Sequence, residues 1–278
     1  KNFKNINLDN VFIKKNISYT EKFYQECENN NFKIIEIHNR PESLLYLIKR
    51  KVKGKLIFIF HNNPKEMRSS KTIKDRMFIA ENTDQIYFVS NWVKKKFFEG
   101  LPYSFKNNCE TLYPAIKPLK KFPKKKKIII FSGKLNSSKG FDLFGKVIIK
   151  ILDKFPEWRA IAIGNEPREK FFFKHKNFKI LDWIKHDEIL NYYSKSSIAV
   201  VPSRWLEPFG RTSMESAAHG CATITTKNER TKYISPIYGL TETIGATNPP
   251  ASPAIKHPKL NTNLYVKDIF KPSRLATS

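Results

Sequence analysis

Short apolar runs alternate with stretches of helical period along most of the chain. Phe32–Ile37, Lys55–Phe60, Gln85–Val89, Lys127–Phe131, Arg159–Ile163, Ile198–Val201 and Ala222–Thr225 read as buried strands. Between them, Tyr19–Cys27, Glu42–Lys49, Asn91–Phe98, Phe141–Lys154, His186–Tyr193 and Gly210–His219 carry apolar residues at helical spacing. Strands alternating with helices of about ten to fifteen residues imply crossover units and a parallel sheet. Near-continuous Ile, Val and Phe in the strands fit a sheet covered on both faces. No apolar run approaches the ~20 residues needed to span a bilayer.

The alternation is interrupted at Tyr113–Lys127, YPAIKPLKKFPKKKK, which holds three prolines and seven lysines. Proline and like charges disfavour packing, so this stretch reads as a linker between two domains, 1–115 and 116–278. A chain of 278 residues accommodates two at about 150 residues each. The lysine cluster reads as a solvated connector, or as a patch for acidic lipid head groups. Glu242–Leu260, with four prolines and no period, reads as a loop. The chain begins at Lys1 with no export signal, and reads as a fragment or a processed form.

Charge adds a class of partner. Lys and Arg number 51 against 25 Asp and Glu, a net charge of +26. Such a surface attracts nucleic acid, acidic membrane or phosphorylated small molecules. Abundant Lys, Asn and Ile also follow from a genome rich in A and T, so the excess has a second, non-functional reading. No zinc finger, basic zipper or basic aromatic ribonucleoprotein stretch accompanies it. Cys27, Cys109 and Cys221 are far apart, which fits reduced thiols better than a disulfide framework. Cys221 opens an apolar stretch and reads as core. No His, Asp or Cys set has metal-ligand spacing.

Chemistry concentrates in two stretches. In Val201–Thr225, a strand gives way to a loop and a helix starting near Gly210. The first free N–H groups, about Gly210 to Ser213, and the helix dipole make an anion site. Glu207 precedes this turn and Glu215 follows it by one turn, leaning back toward the helix start. Glu215 there suits two adjacent hydroxyls such as those of a ribose, and Glu207 those of a second polyol. The plainer alternative for Glu215 is a satisfied first-turn acid. In Ile128–Gly140, IIIFSGKLNSSKG, a buried strand ends at Ser132–Gly133 before Lys134 and Lys139. Glycine admits close approach of a ligand, and two cations at the carboxyl edge of a parallel strand suit a diphosphate.

The pair Glu207-x7-Glu215, EPFGRTSME followed by SAAHGCATI, resembles the signature of retaining glycosyltransferase family 4 (glycosyl transferases group 1). FSGKLNSSKG at 131–140, AIGNEP at 162–167, FVSNWVKKKF at 88–97 and residues 179–203 are also similar to that family. The resemblance covers roughly 33–226. It implies the α/β GT-B fold, two Rossmann-like domains with parallel sheets facing a cleft. The N-terminal domain would present the acceptor and the C-terminal domain hold a nucleotide-sugar. Lys134 and Lys139 match the basic pair on the donor diphosphate, beside Gly133. Glu207 matches the acid on donor-sugar hydroxyls, with Phe209 and Gly210 lending backbone groups. Arg211 and Thr212 match the amides near the distal phosphate, Glu215 the ribose acid, and Trp183 and Ile184 the base-packing positions. His61, in FHNNP, matches the family's strand-end histidine. His38, at another strand end, is a weaker candidate; His175, His186, His219 and His257 read as structural or exposed.

The resemblance further implies front-face transfer with retention, no protein nucleophile, and no metal or cofactor beyond the nucleotide-sugar. The acceptor would be a glycan or glycolipid, as in lipopolysaccharide or capsule synthesis. The expected location is cytoplasmic, peripheral on the inner membrane face, with no specific nucleic acid partner. The chain departs from the pattern in three places. Lys134 stands where arginine is usual, keeping the charge without the planar fork. The usual first strand and glycine-rich loop are not visible, implying a missing N-terminal segment. The turn expected after Thr226 is absent. Two other readings of the chain are a basic nucleic-acid-binding protein and another GT-B enzyme such as a nucleotide-sugar epimerase.

Overall fold

The computed structural model describes residues 15–102, 108–116, 119 and 123–226, with side chains from residue 19 onward. These form two compact units. One is drawn from Lys1–Lys117 and Leu206–Arg211, the other from Pro118–Trp205 and Thr212–Ser278. The predicted loop at 242–260 and His257 lie outside the described residues.

The first unit runs α1 (Lys15–Asn30), β1 (Ile34–His38), α2 (Pro41–Lys49), β2 (Lys55–Phe60), α3 (Ile73–Glu81), β3 (Gln85–Phe88), α4 (Asn91–Phe98) and β4 (Cys109–Thr111). Its sheet is parallel throughout, in the order β1-β2-β3-β4. Phe58, Phe60, Phe88 and Phe97 are fully buried in its core, with Phe60 and Phe88 stacked at 5.6 Å. Each such ring contributes about 1.5–3 kcal/mol by leaving water.

The second unit runs β5 (Lys126–Ser132), α5 (Phe141–Lys154), β6 (Arg159–Ile163), β7 (Phe178–Leu181), α6 (His186–Lys195), β8 (Ser196–Val201), α7 (Arg211–Ala218) and β9 (Ala222–Thr225). Its five parallel strands lie in the order β7-β6-β5-β8-β9. The chain therefore builds outward from β5 in one direction, then returns to the other side of it at β8. That reversal is a topological switch point, the place at the strands' carboxyl ends where ligands of doubly wound sheets bind. The two stretches singled out in the sequence are the loops after these two strands.

Three elements depart from the sequence pattern. The pattern placed no helix at α3, because fully buried Arg76 occupies an inward position that an apolar residue would normally mark. It also missed β4, which has three residues, and β7, an edge strand whose central Lys179 and Ile180 are exposed. Helix α7 begins at Arg211 rather than Gly210, which adopts a left-handed φ of 85°. All three cysteines are buried, Cys221 included, and burial raises the Cys109 thiol to about 12. No helix among the described residues is long and apolar enough to cross a membrane.

The lysine-rich stretch also requires a correction. Lys125 is not a solvated side chain. Its Nζ donates to the carbonyls of Tyr193 (3.1 Å) and His219 (2.6 Å), at the ends of α6 and α7. Burial lowers its pKa.

Candidate functional site

In the second unit, the end of β5 meets the end of β6 backbone to backbone. A Cβ built on Gly164 would sit 1.9 Å from the Gly133 carbonyl oxygen, and 3.6 Å from the Trp183 ring. Only glycine tolerates that approach at a φ of 144°. Gly133 N–H donates to the Ile163 carbonyl at 3.0 Å, and a Cβ at Gly133 would meet nothing within 4 Å. The predicted residues Gly133 and Trp183 are thus brought to one place. The Trp183 side chain stays half exposed (54%). Ile184 packs against the core around Ile130, Ile163 and Tyr193.

The loop 134–140 is shaped by its own side chains. Asn136 Oδ1 accepts from the Lys139 N–H and the Ser138 hydroxyl, each at 3.0 Å. Glu169 accepts from both the N–H and the hydroxyl of Ser137. The loop after β8 is tied to it. Arg204 and Trp205 N–H groups donate to the Ser138 carbonyl, at 2.9 and 3.0 Å. The Arg204 guanidinium spans the Ser137 carbonyl (2.5 Å) and both Asp142 oxygens (2.6 and 2.9 Å). Its hydrogen bonds hold the Asp142 carboxyl below its ordinary range.

Lys139 ends this loop with its Nζ 4.7 Å from the centre of the Trp205 ring. Lys134 is exposed and adds to the field on Glu166. That buried acid accepts from Arg168 Nε at 2.6 Å and Nη2 at 2.8 Å, which brings its carboxyl down to about 2.

Glu215 lies on α7 and is 8% exposed. His186 Nε2 stands 3.6 Å from its Oε1. His186 is therefore a neighbour of a candidate ligand-binding acid rather than an unrelated surface histidine. His219 is structural, its Nδ1–H donating to the Glu215 carbonyl at 2.8 Å. Tyr193 is fully buried, and burial drives its hydroxyl well above the usual tyrosine range while Ser132 bonds to it. The helix bearing Glu215 is packed through Met214 and Ala218, both buried.

The segment Leu206–Arg211 belongs to the first unit, so Glu207, Phe209, Gly210 and Arg211 are found there with His61, while Thr212 and Glu215 fall in the second. Phe209 packs against the first unit's core and lies 6.2 Å from the Tyr113 ring. Ser90 Oγ donates to the Pro208 carbonyl at 2.7 Å and also caps α4 by accepting from Val93 N–H.

At the carboxyl ends of β1 and β2, the structure assembles a group only partly anticipated by the sequence. His38 Nδ1 is 2.9 Å from His61 Nε2, and the rings stack at 5.2 Å. His38 Nε2 bonds in turn to Glu36 Oε1. Asn39, at a left-handed φ of 54°, accepts from the N–H groups of His61 and Asn62. Burial, with lesser effects of His38 and Arg211, lowers the His61 pKa below 6.5. Glu36 was missed. Its signal was present, because Glu36 and His38 alternate with buried Ile35 and Ile37 on one strand.

Residues 113–234 match the family described as Glycosyl transferases group 1. YtcC of Bacillus subtilis (strain 168), which carries a glycosyltransferase name, is 25% identical over 241 residues, 75% of this chain and 58% of YtcC. The lipopolysaccharide core biosynthesis mannosyltransferase LpsB of Rhizobium meliloti (strain 1021) is 32% identical over 111 residues, 36% of this chain and 31% of LpsB. Among solved structures, Anabaena Alr3699/HepE in complex with UDP and glucose superposes with a TM-score of 0.60 at 13% identity, covering 78% of this chain and 64% of HepE. The chain spans less than two thirds of the length of these proteins. The shared fold is GT-B, with two parallel α/β sheets.

Proposed function

We propose, from a chain whose residues 113–234 belong to the glycosyl transferases group 1 family, that this protein is a retaining glycosyltransferase. It moves a sugar from a nucleotide-diphosphate sugar to a hydroxyl of a glycan or glycolipid, in cell-envelope polysaccharide or lipopolysaccharide synthesis. The observation that carries this reading is the switch point between β5 and β8, whose loops bear Lys134 and Lys139 on one side and lead into Glu207 and α7 on the other. A doubly wound sheet offers its ligand crevice there.

In this reading Lys134, Lys139 and the first amides of α7, from Arg211 and Thr212, stabilise the departing diphosphate. Glu215 accepts from the ribose hydroxyls, and Trp183 and Ile184 flank the base. Glu207 and the backbone at Phe209 and Gly210 hold the donor sugar, and His61 meets a sugar hydroxyl. The bond from the anomeric carbon to the diphosphate oxygen breaks, leaving an oxocarbenium-like sugar. The acceptor hydroxyl bonds to that carbon on the same face and passes its proton to a phosphate oxygen. Glu207 is then a binder rather than a base, and the charge neutralisation by lysines requires no metal or cofactor. The net charge of +26 supports a cytoplasmic protein peripheral on an acidic inner membrane face.

The name of LpsB supports a lipopolysaccharide-type acceptor. The test is product analysis by proton NMR with a nucleotide-sugar panel, with and without a glycolipid acceptor. The expected product keeps the donor's anomeric configuration and appears only with acceptor. An inverted product rejects retention, and a free epimer formed without acceptor favours an epimerase.

A further inference from the structure

The Glu36, His38 and His61 side chains form a chain of hydrogen bonds whose donors and acceptors follow when both rings are neutral. A carboxylate has no proton to give, so the bond at Glu36 Oε1 takes its proton from His38 Nε2. A neutral imidazole carries one N–H, so His38 Nδ1 is then an acceptor. Its partner at 2.9 Å, His61 Nε2, must be the donor. That leaves His61 Nδ1 with a bare lone pair, and no hydrogen bond to that atom occurs among the described residues. Among the described residues, the charged and titratable groups acting on His61 are His38 from β1, itself bonded to Glu36, and Arg211 from the start of α7. Burial, with lesser effects of His38 and Arg211, lowers the His61 pKa below 6.5 and so favours the neutral ring at pH 7.

We infer that Glu36 and His38 are positioning residues that lock His61 in its Nε2–H tautomer, so that Nδ1 accepts a hydrogen bond from a hydroxyl of the bound sugar. Ring orientation is set by the same bonds, since the hydrogen bond between the two imidazoles holds their planes within 29° of each other. Setting a ligand histidine's tautomer through the bond made by its other nitrogen is a general device. The inference rests on the reading of His61 as a site residue given above.

The test is a long-range nitrogen–proton NMR spectrum of the full chain labelled with 15N-histidine at pH 7.5, with turnover measured in parallel. The expected spectrum shows both His38 and His61 protonated at Nε2 and bare at Nδ1. Glu36→Gln keeps an acceptor oxygen and should preserve both the tautomer and turnover. Glu36→Leu removes the acceptor and should give mixed tautomers at His61. It should also lower kcat by about tenfold or more, with little change in KM for the nucleotide-sugar. Glu36 is half exposed, so neither substitution threatens the core. A His61 protonated at Nδ1 in the wild type overturns the inference. So does a Glu36→Leu variant with unchanged tautomer and turnover. The expected spectra without any sugar transfer would instead reject the glycosyltransferase reading and the sugar-directed role with it, leaving only the tautomer lock.

Discussion

The Lys139 ammonium rests 4.7 Å from the centre of the Trp205 ring, and the two residues come from loops tied together at the Ser138 carbonyl. A flexible lysine in solution samples many rotamers, while one lodged over an indole is already aimed. A cation over an aromatic face is worth about 0.5–2 kcal/mol. Trp205→Ala should therefore weaken binding of UDP or GDP about 2- to 30-fold by isothermal titration. Trp205→Phe should lose less. Equal affinity in Trp205→Ala and wild type would show that the indole does not preorganise Lys139.

The turn into α5 allows a stability prediction. Gly140 sits at a φ of 75°, and a Cβ there would lie 2.1 Å from the Pro202 carbonyl oxygen. Backbone would have to move in a loop already tied to Arg204 and Trp205. Gly140→Ala should lower Tm by several degrees, since about 1 kcal/mol corresponds to roughly 2–4 °C in a domain of this size class. Calorimetry checks it, and a Tm within a degree of wild type would contradict the crowding.

Much of the fold could be read from the chain because β2, β5 and β8 are covered on both faces and their apolar runs announce it. Helix α3 could not, since Arg76 breaks its apolar face. The Gly133–Lys139 loop and the two glutamates were legible as local motifs. The Glu36–His38–His61 chain was not, because it joins residues 23 apart whose partnership depends on β1 pairing with β2. Lys125 was misread for a related reason. It lies within a run of lysines that looks solvated, and only the packing of α6 and α7 supplies the two carbonyls that draw it in.

Arg76 carries its own prediction. It is 1% exposed, and its guanidinium donates to the carbonyls of Phe97 (2.7 Å), Lys71 (2.8 Å) and Glu99 (2.6 Å). Arg76→Met keeps much of the volume but strands these acceptors, each costing about 1–3 kcal/mol when buried. Urea unfolding should show a loss of several kcal/mol. A loss below about 1 kcal/mol would mean that water replaces the guanidinium.

The depressed His61 pKa predicts an acid limb in the pH profile. The folded protein holds this ring neutral while the unfolded chain protonates near 6.5. Between the folded value and 6.5 the unfolded state binds more protons, so stability rises with pH and is lost as pH falls through that window. If neutral His61 is the working form, kcat/KM should fall on acidification only below 6.5, and His61→Gln should flatten that limb. A limb unchanged by His61→Gln would assign it to another group.

The central claim is that the second unit grips a nucleoside diphosphate through Lys139 and Glu215. The most direct measurement is thermal unfolding of the wild type, Lys139→Ala and Glu215→Gln against a panel of nucleotide-diphosphate sugars. At a hundredfold excess over Kd, a true donor stabilises by about 2.7 kcal/mol. The account predicts that at least one donor raises the wild-type Tm by several degrees and that the shift is lost in both variants. No shift with any donor, or the same shift in all three proteins, would contradict it.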